Sequence, residues 1–134
     1  MYAEFASLSD EDNTTRIISL NSGTLMENRI FIGFSNIDNR IYVGIRNLTV
    51  AYFTPTDSTV FHKVAIKYED NNTKLFVNGN QIGSTETTQT VPSGLSQIQF
   101  TAGSTTAPFH GKVKDLRVYN TALTDLELQE LTTI

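Results

Sequence analysis

Residues Val60 to Gly83 read VFHKVAIKYEDNNTKLFVNGNQIG. Val60, His62, Val64, Ile66 and Tyr68 fall on one side of a two-residue period, and Phe61, Lys63, Ala65 and Lys67 on the other. That alternation is what a half-buried antiparallel strand shows, because successive side chains point to opposite faces. Asp70-Asn71-Asn72 turns the chain. Lys74, Phe76 and Asn78 then alternate with Leu75 and Val77. Asn78-Gly79-Asn80 closes a second turn, since Asn and Gly tolerate positive φ at little cost. Two hairpins in a row point to an all-β fold.

The same period extends outward in both directions. Tyr2 to Leu8 reads as a strand already under way, which we take as a cut from a longer chain. Thr15 to Leu20 places Ile17 opposite Ile18 and Leu20. Arg29 to Ser35 sets Ile30, Ile32 and Phe34 against Phe31 and Gly33. Arg40 to Arg46 sets Ile41, Val43 and Ile45 against Arg40, Tyr42, Gly44 and Arg46, with Arg and Tyr expected to be exposed together. Leu48 to Thr54 is apolar on both faces. Gln81 to Thr87 continues the second hairpin, and Val91 to Leu95 reads as a turn or one helical turn. Gln97 to Ala102 and Phe109 to Asn120 are the last strands. In the latter, Val113 and Leu116/Val118 differ in parity, so a β-bulge is expected near Lys114-Asp115.

Only the end reads as helix. Thr124-Asp125-Leu126-Glu127 is a capping box, and Leu123 before it can staple onto Leu128. Leu128 and Leu131 lie along one side. About ten short strands and one terminal helix predict an antiparallel two-sheet sandwich, and residues 1–134 hold one domain.

Composition narrows function. A net charge of -4 with dispersed basic residues argues against nucleic acid as a partner. No cysteine means no disulfide, no thiol nucleophile and no zinc-thiolate site. No stretch is long and apolar enough for a membrane-spanning helix, so membrane insertion is not expected.

Two segments carry a family resemblance. Phe61-His62-Lys63-Val64-Ala65-Ile66-Lys67-Tyr68 with Leu75-Phe76-Val77-Asn78-Gly79 is one; Phe109-His110-Gly111-Lys112 through Tyr119-Asn120, with Ala122-Leu123-Thr124 and Glu127, is the other. They resemble the hairpin and closing signature of the concanavalin A-like lectin/glucanase superfamily, in its laminin-G-like branch. The resemblance implies a jelly roll of two antiparallel sheets with one short C-terminal helix. The style of the sequence is similar to bacteriophage-fibre or bacterial-surface versions, which implies display outside a cell or on a virion.

Within that superfamily the glucanases carry an E-x-D-x-E run on one strand. This chain has none, so no catalytic residue is expected. His62 and His110 have no Ser or Cys partner in sequence and read as structural. Relatives also bind calcium at loop rims; Asp10 and Asp12 are the candidates here, though ordinary polar turns contain the same residues. No cofactor is otherwise implied.

Sugar recognition needs an aromatic face for the ring's C–H groups and planar donors and acceptors for its hydroxyls. Arg40, Tyr42 and Arg46 share a strand face, with Asp38 and Asn39 at its end, and Tyr52 joins them if the next strand pairs. Asn71, Asn78 and Asn80 form a second candidate at the hairpin tips. The expected function is a non-catalytic module that binds a cell-surface glycan or receptor. The rival is a structural module of a fibre or capsid, oligomerising through its parent protein, with no ligand of its own.

Overall fold

The computed structural model describes residues 1–10, 13–23, 27–103 and 105–134. Ten strands form two antiparallel five-stranded sheets, followed by one helix. The strands are β1 (Tyr2–Ala6), β2 (Arg16–Asn21), β3 (Arg29–Phe34), β4 (Ile41–Ile45), β5 (Leu48–Phe53), β6 (His62–Lys67), β7 (Thr73–Val77), β8 (Asn80–Glu86), β9 (Gln97–Gln99) and β10 (Lys112–Arg117), and the helix is α1 (Asp125–Thr132). One sheet runs β10-β1-β6-β7-β8 and the other β5-β4-β3-β2-β9.

The two-residue period sorts side chains as expected. Val64, Ile66, Leu75 and Val77 from the first sheet meet Ile18, Ile30, Ile32, Phe34, Ile41, Val43 and Ile45 from the second in one buried core. Phe5 and Phe34 meet edge to face at 5.1 Å, and Phe109 joins Phe5 at 5.8 Å. Gly111, two residues on, is required by space: a Cβ there would lie 2.8 Å from the Ala6 carbonyl oxygen. The Phe and Gly of the closing signature thus plug the core and admit the crossing chain.

The bulge falls where parity placed it. Glu4 pairs with Asp115 and Phe5 with Val113, leaving Lys114 as the extra residue. Val113 and Leu116 consequently both pack on the core. The helix begins at the expected cap: the Glu127 N–H donates to the Thr124 hydroxyl at 3.2 Å, and the Thr124 N–H donates to the Glu127 carboxylate at 2.7 Å. Leu128, with Leu123 and Leu131 beside it, covers Tyr2, Ala65 and Phe76 on the outer face of the first sheet.

Three boundaries differ from expectation. β9 ends at Gln99, because Phe100 gives its carbonyl to the Phe109 N–H at 2.8 Å instead of continuing the ladder. β10 spans only Lys112–Arg117, since Phe109 leaves the sheet plane to fill the core. Val91 to Leu95 contains no helical turn.

Candidate functional site

The outer face of the second sheet carries the sequence-predicted site. Its floor starts with glycine. A Cβ at Gly44 would overlap the Phe31 ring, so the ring lies across that strand and Tyr42 packs against it edge to face at 5.1 Å. This corrects the expectation of an exposed Tyr42, whose side chain is only 9% exposed. Burial pushes the Tyr42 hydroxyl up to about 12, against the opposing pull of the nearby Arg29. Arg29 is itself buried, its Nε donating to the Arg46 carbonyl at 2.9 Å and its guanidinium lying 4.7 Å from the Phe31 centroid. The same burial lowers its pKa from the usual guanidinium value.

β5 pairs with β4 so that Tyr52 stands directly opposite Tyr42. Paired residues of neighbouring strands share a face with Cβ atoms about 5 Å apart. Tyr52 remains 54% exposed. Arg40 reaches over it, guanidinium carbon 4.7 Å from the ring centroid, and makes a 3.5 Å ion pair with the exposed Asp38. The Arg40 Nε is buried and has no hydrogen-bond partner among the described residues. Arg40, Tyr42 and Tyr52 line a recess of about 350 Å³ together with Thr15, Ser35, Asn36, Ile37 and Thr49. No carboxylate is among its lining residues.

Sequence reasoning thus found Arg40, Tyr42 and Tyr52, which the fold brings together. It missed the polar wall. Thr49 reaches this face through a second bulge: Val43 pairs with Ala51 but Gly44 with Thr49, so Val50 is the extra residue and parity shifts. Nothing in the LTVAYF stretch marks that shift. Ser35, at the end of the predicted strand Arg29 to Ser35, and the polar Asn36 after it were the available signal for the rest.

The other candidates stand elsewhere. Arg46 follows β4, at the opposite end from Arg40, in a positive-φ turn conformation, and does not line the recess. Asn39 is 2% exposed and its amide is taken up by Arg16 and Asp10. Asn78 is also engaged internally: its Oδ1 accepts from the Lys63 N–H at 3.0 Å and its Nδ2 faces His62 Nδ1 at 3.0 Å. His62 Nε2 meets the Asp57 carbonyl at 2.9 Å, a contact in which Nε2–H is the donor, leaving Nδ1 to accept from Asn78. Asn71 lies in the turn before β7 and Asn78 in the turn after it, so the second candidate cluster is split across the length of a strand.

For calcium, Asp12 lies outside the described residues. The Asp10 carboxylate accepts the Ser58 N–H and hydroxyl, each at 2.6 Å. Among the described residues no three His, Asp or Glu side chains gather as a metal site. A second recess, of about 280 Å³, lies between β6, α1 and the Tyr119–Leu123 segment, lined in part by Tyr2, Tyr68 and Lys67.

Comparison with known proteins places the fold. A family model described as the concanavalin A-like lectin/glucanases superfamily matches residues 3–129. No curated protein sequence matches. The fold is similar to the CBM40 domain of the Ruminococcus gnavus IT-sialidase in its structure with α2,3-sialyllactose. The TM-score is 0.69 at 19% identity, over 99% of this chain and 80% of that one. The same domain with α2,6-sialyllactose gives a TM-score of 0.64 at 19% identity, over 98% and 80%. The leech intramolecular trans-sialidase matches with a TM-score of 0.66 at 21% identity; 99% of this chain is covered but only 23% of that one.

Proposed function

This chain belongs to the concanavalin A-like lectin/glucanase superfamily, and from that premise we propose that it is a non-catalytic glycan-binding module with its sugar site in the β4–β5 recess. The observation that carries the reading is the register of β4 on β5. It sets Tyr52 against Tyr42 with the Arg40 guanidinium stacked alongside, in a recess sized for a small ligand. Tyr52 offers a ring face to a sugar's C–H groups. Arg40, Asn36, Ser35 and Thr49 offer donors and acceptors for its hydroxyls.

The charge balance narrows the sugar. Among the described residues Arg40 is the one charged residue lining the recess, and its Asp38 partner is an exposed, 3.5 Å ion pair that a glycan carboxylate can replace, so a carboxylate-bearing glycan suits it better than a neutral one. The structurally similar bacterial domain is named as bound to sialyllactose, which is such a glycan. The absence of an E-x-D-x-E run supports the non-catalytic reading. Such a module works at an extracellular, cell or virion surface, where its glycan is displayed.

A glycan array with purified domain, run in calcium and again in chelator, tests this reading. Binding confined to acidic glycans in both buffers supports it. Loss in chelator brings a metal into the site. A blank array in both buffers overturns it in favour of a structural module.

A further inference from the structure

Arg40 is a long side chain, and its placement over Tyr52, guanidinium carbon 4.7 Å from the ring centroid, requires its backbone to be held. It follows a tight turn, Ile37-Asp38-Asn39-Arg40, closed by the Arg40 N–H donating to the Ile37 carbonyl at 3.0 Å. Both central residues have positive φ, 50° at Asp38 and 46° at Asn39. Asp and Asn reach that conformation at little cost, and the surroundings are what fix it in one place. Here the Asn39 amide supplies the hold. Its Oδ1 accepts from Arg16 NH2 at 2.5 Å, and its Nδ2 donates to the Asp10 carbonyl at 2.5 Å. Arg16 is fully buried, its guanidinium 4.6 Å from the centroid of core Phe34. Asp10 is fixed in turn by Ser58.

We propose that Asn39 is a positioning residue for the recess: it touches no ligand, but couples Arg40 to the buried Arg16 and, through Phe34, to the core. This rests on the glycan reading of the β4–β5 recess. It reassigns Asn39 from a surface contact to a strut beneath the contact. It also makes sugar affinity depend on residues that never meet the sugar.

The test is a double-mutant cycle between Asn39→Gly and Arg40→Ala, with α2,3-sialyllactose as the probe. Glycine keeps the positive φ and removes only the amide. Thermal unfolding checks that each variant is folded. N39G is expected to bind roughly tenfold more weakly, and to add nothing once Arg40 is gone. Independently of ligand, N39G shifts the Arg40 Nε–Hε NMR resonance, which the Tyr52 ring current marks. Wild-type affinity with an unshifted resonance overturns the proposal, as do fully additive losses. Should N39G not fold, Asn39→Asp carries the same test, since aspartate tolerates the positive φ and keeps the acceptor for Arg16 but loses the N–H donor to the Asp10 carbonyl. If the wild type ignores sialyllactose, the choice of glycan fails, and the resonance alone decides the role of Asn39.

Discussion

The two sheets share one core but treat their outer faces differently. On the first sheet, Tyr2, Ala65 and Phe76 are covered by Leu128, with Leu123 and Leu131 alongside. On the second, Ile17, Phe31 and Tyr42 are covered by Ala102 and Ala107 only across β2 and β3, and Tyr52 on the edge strand β5 is left exposed. One apolar outer face is closed by a capped helix; the other stays open at an aromatic and a guanidinium. Covered apolar surface supports stability and open aromatic surface is free for a ligand. Mutations should separate the two.

The largest effect belongs to the closed face. Leu128→Ala should cost about 2–3 kcal/mol through the cavity it leaves, read as a lower denaturant midpoint with glycan affinity unchanged in the folded protein. Tyr52→Ala should do the reverse. It should weaken sugar binding by about 1–3 kcal/mol, by analogy with aromatic stacking on planar ligands, while stability moves within about 0.5 kcal/mol. Tyr42→Ala does not discriminate as well, because that ring is also packed on Phe31. Thr124→Ala should cost about 1 kcal/mol through loss of the cap, visible in unfolding and silent in binding.

The smallest effect is in acid. The Thr124 backbone and hydroxyl hold the Glu127 carboxyl below its usual 4.5, and Lys74 holds Asp125 low in the same turn. Folded-state values below unfolded ones give stability that is present above about pH 4.5 and fades as pH falls through the lowered value. Glu127→Gln should flatten that part of the pH–stability curve. An identical acid limb in the variant would count against the cap's role.

Much of this was legible in sequence because it obeys a period. The alternation at Val60–Gly83 put Val64 with Ile66 and Leu75 with Val77 on common faces, which the fold turns to the core, and the parity break at Lys114 marked a real bulge. The capping box fixed the start of the helix. The sequence left the meeting of Tyr52 with Tyr42 conditional on the next strand pairing, and β5 does pair with β4. What escaped were features that depend on what lies across a face. Tyr42 has the right parity but is buried, because Gly44 lets Phe31 lie across the strand. Thr49 joins the recess through a bulge that its own sequence does not signal. Asn39 and Asn78 sit in turns where a ligand contact and a structural strut have the same composition; only their partners Arg16, Lys63 and His62 distinguish them.

The most direct measurement is a 15N-edited NMR titration of the wild-type domain with α2,3-sialyllactose. The account predicts shifts confined to Ser35–Arg40, Tyr42 and Thr49–Tyr52, with the Arg40 side chain among the largest, and quiet resonances around α1. Shifts centred instead on Tyr2, Tyr68 and Tyr119 beside the helix, or no shifts at all, would contradict it.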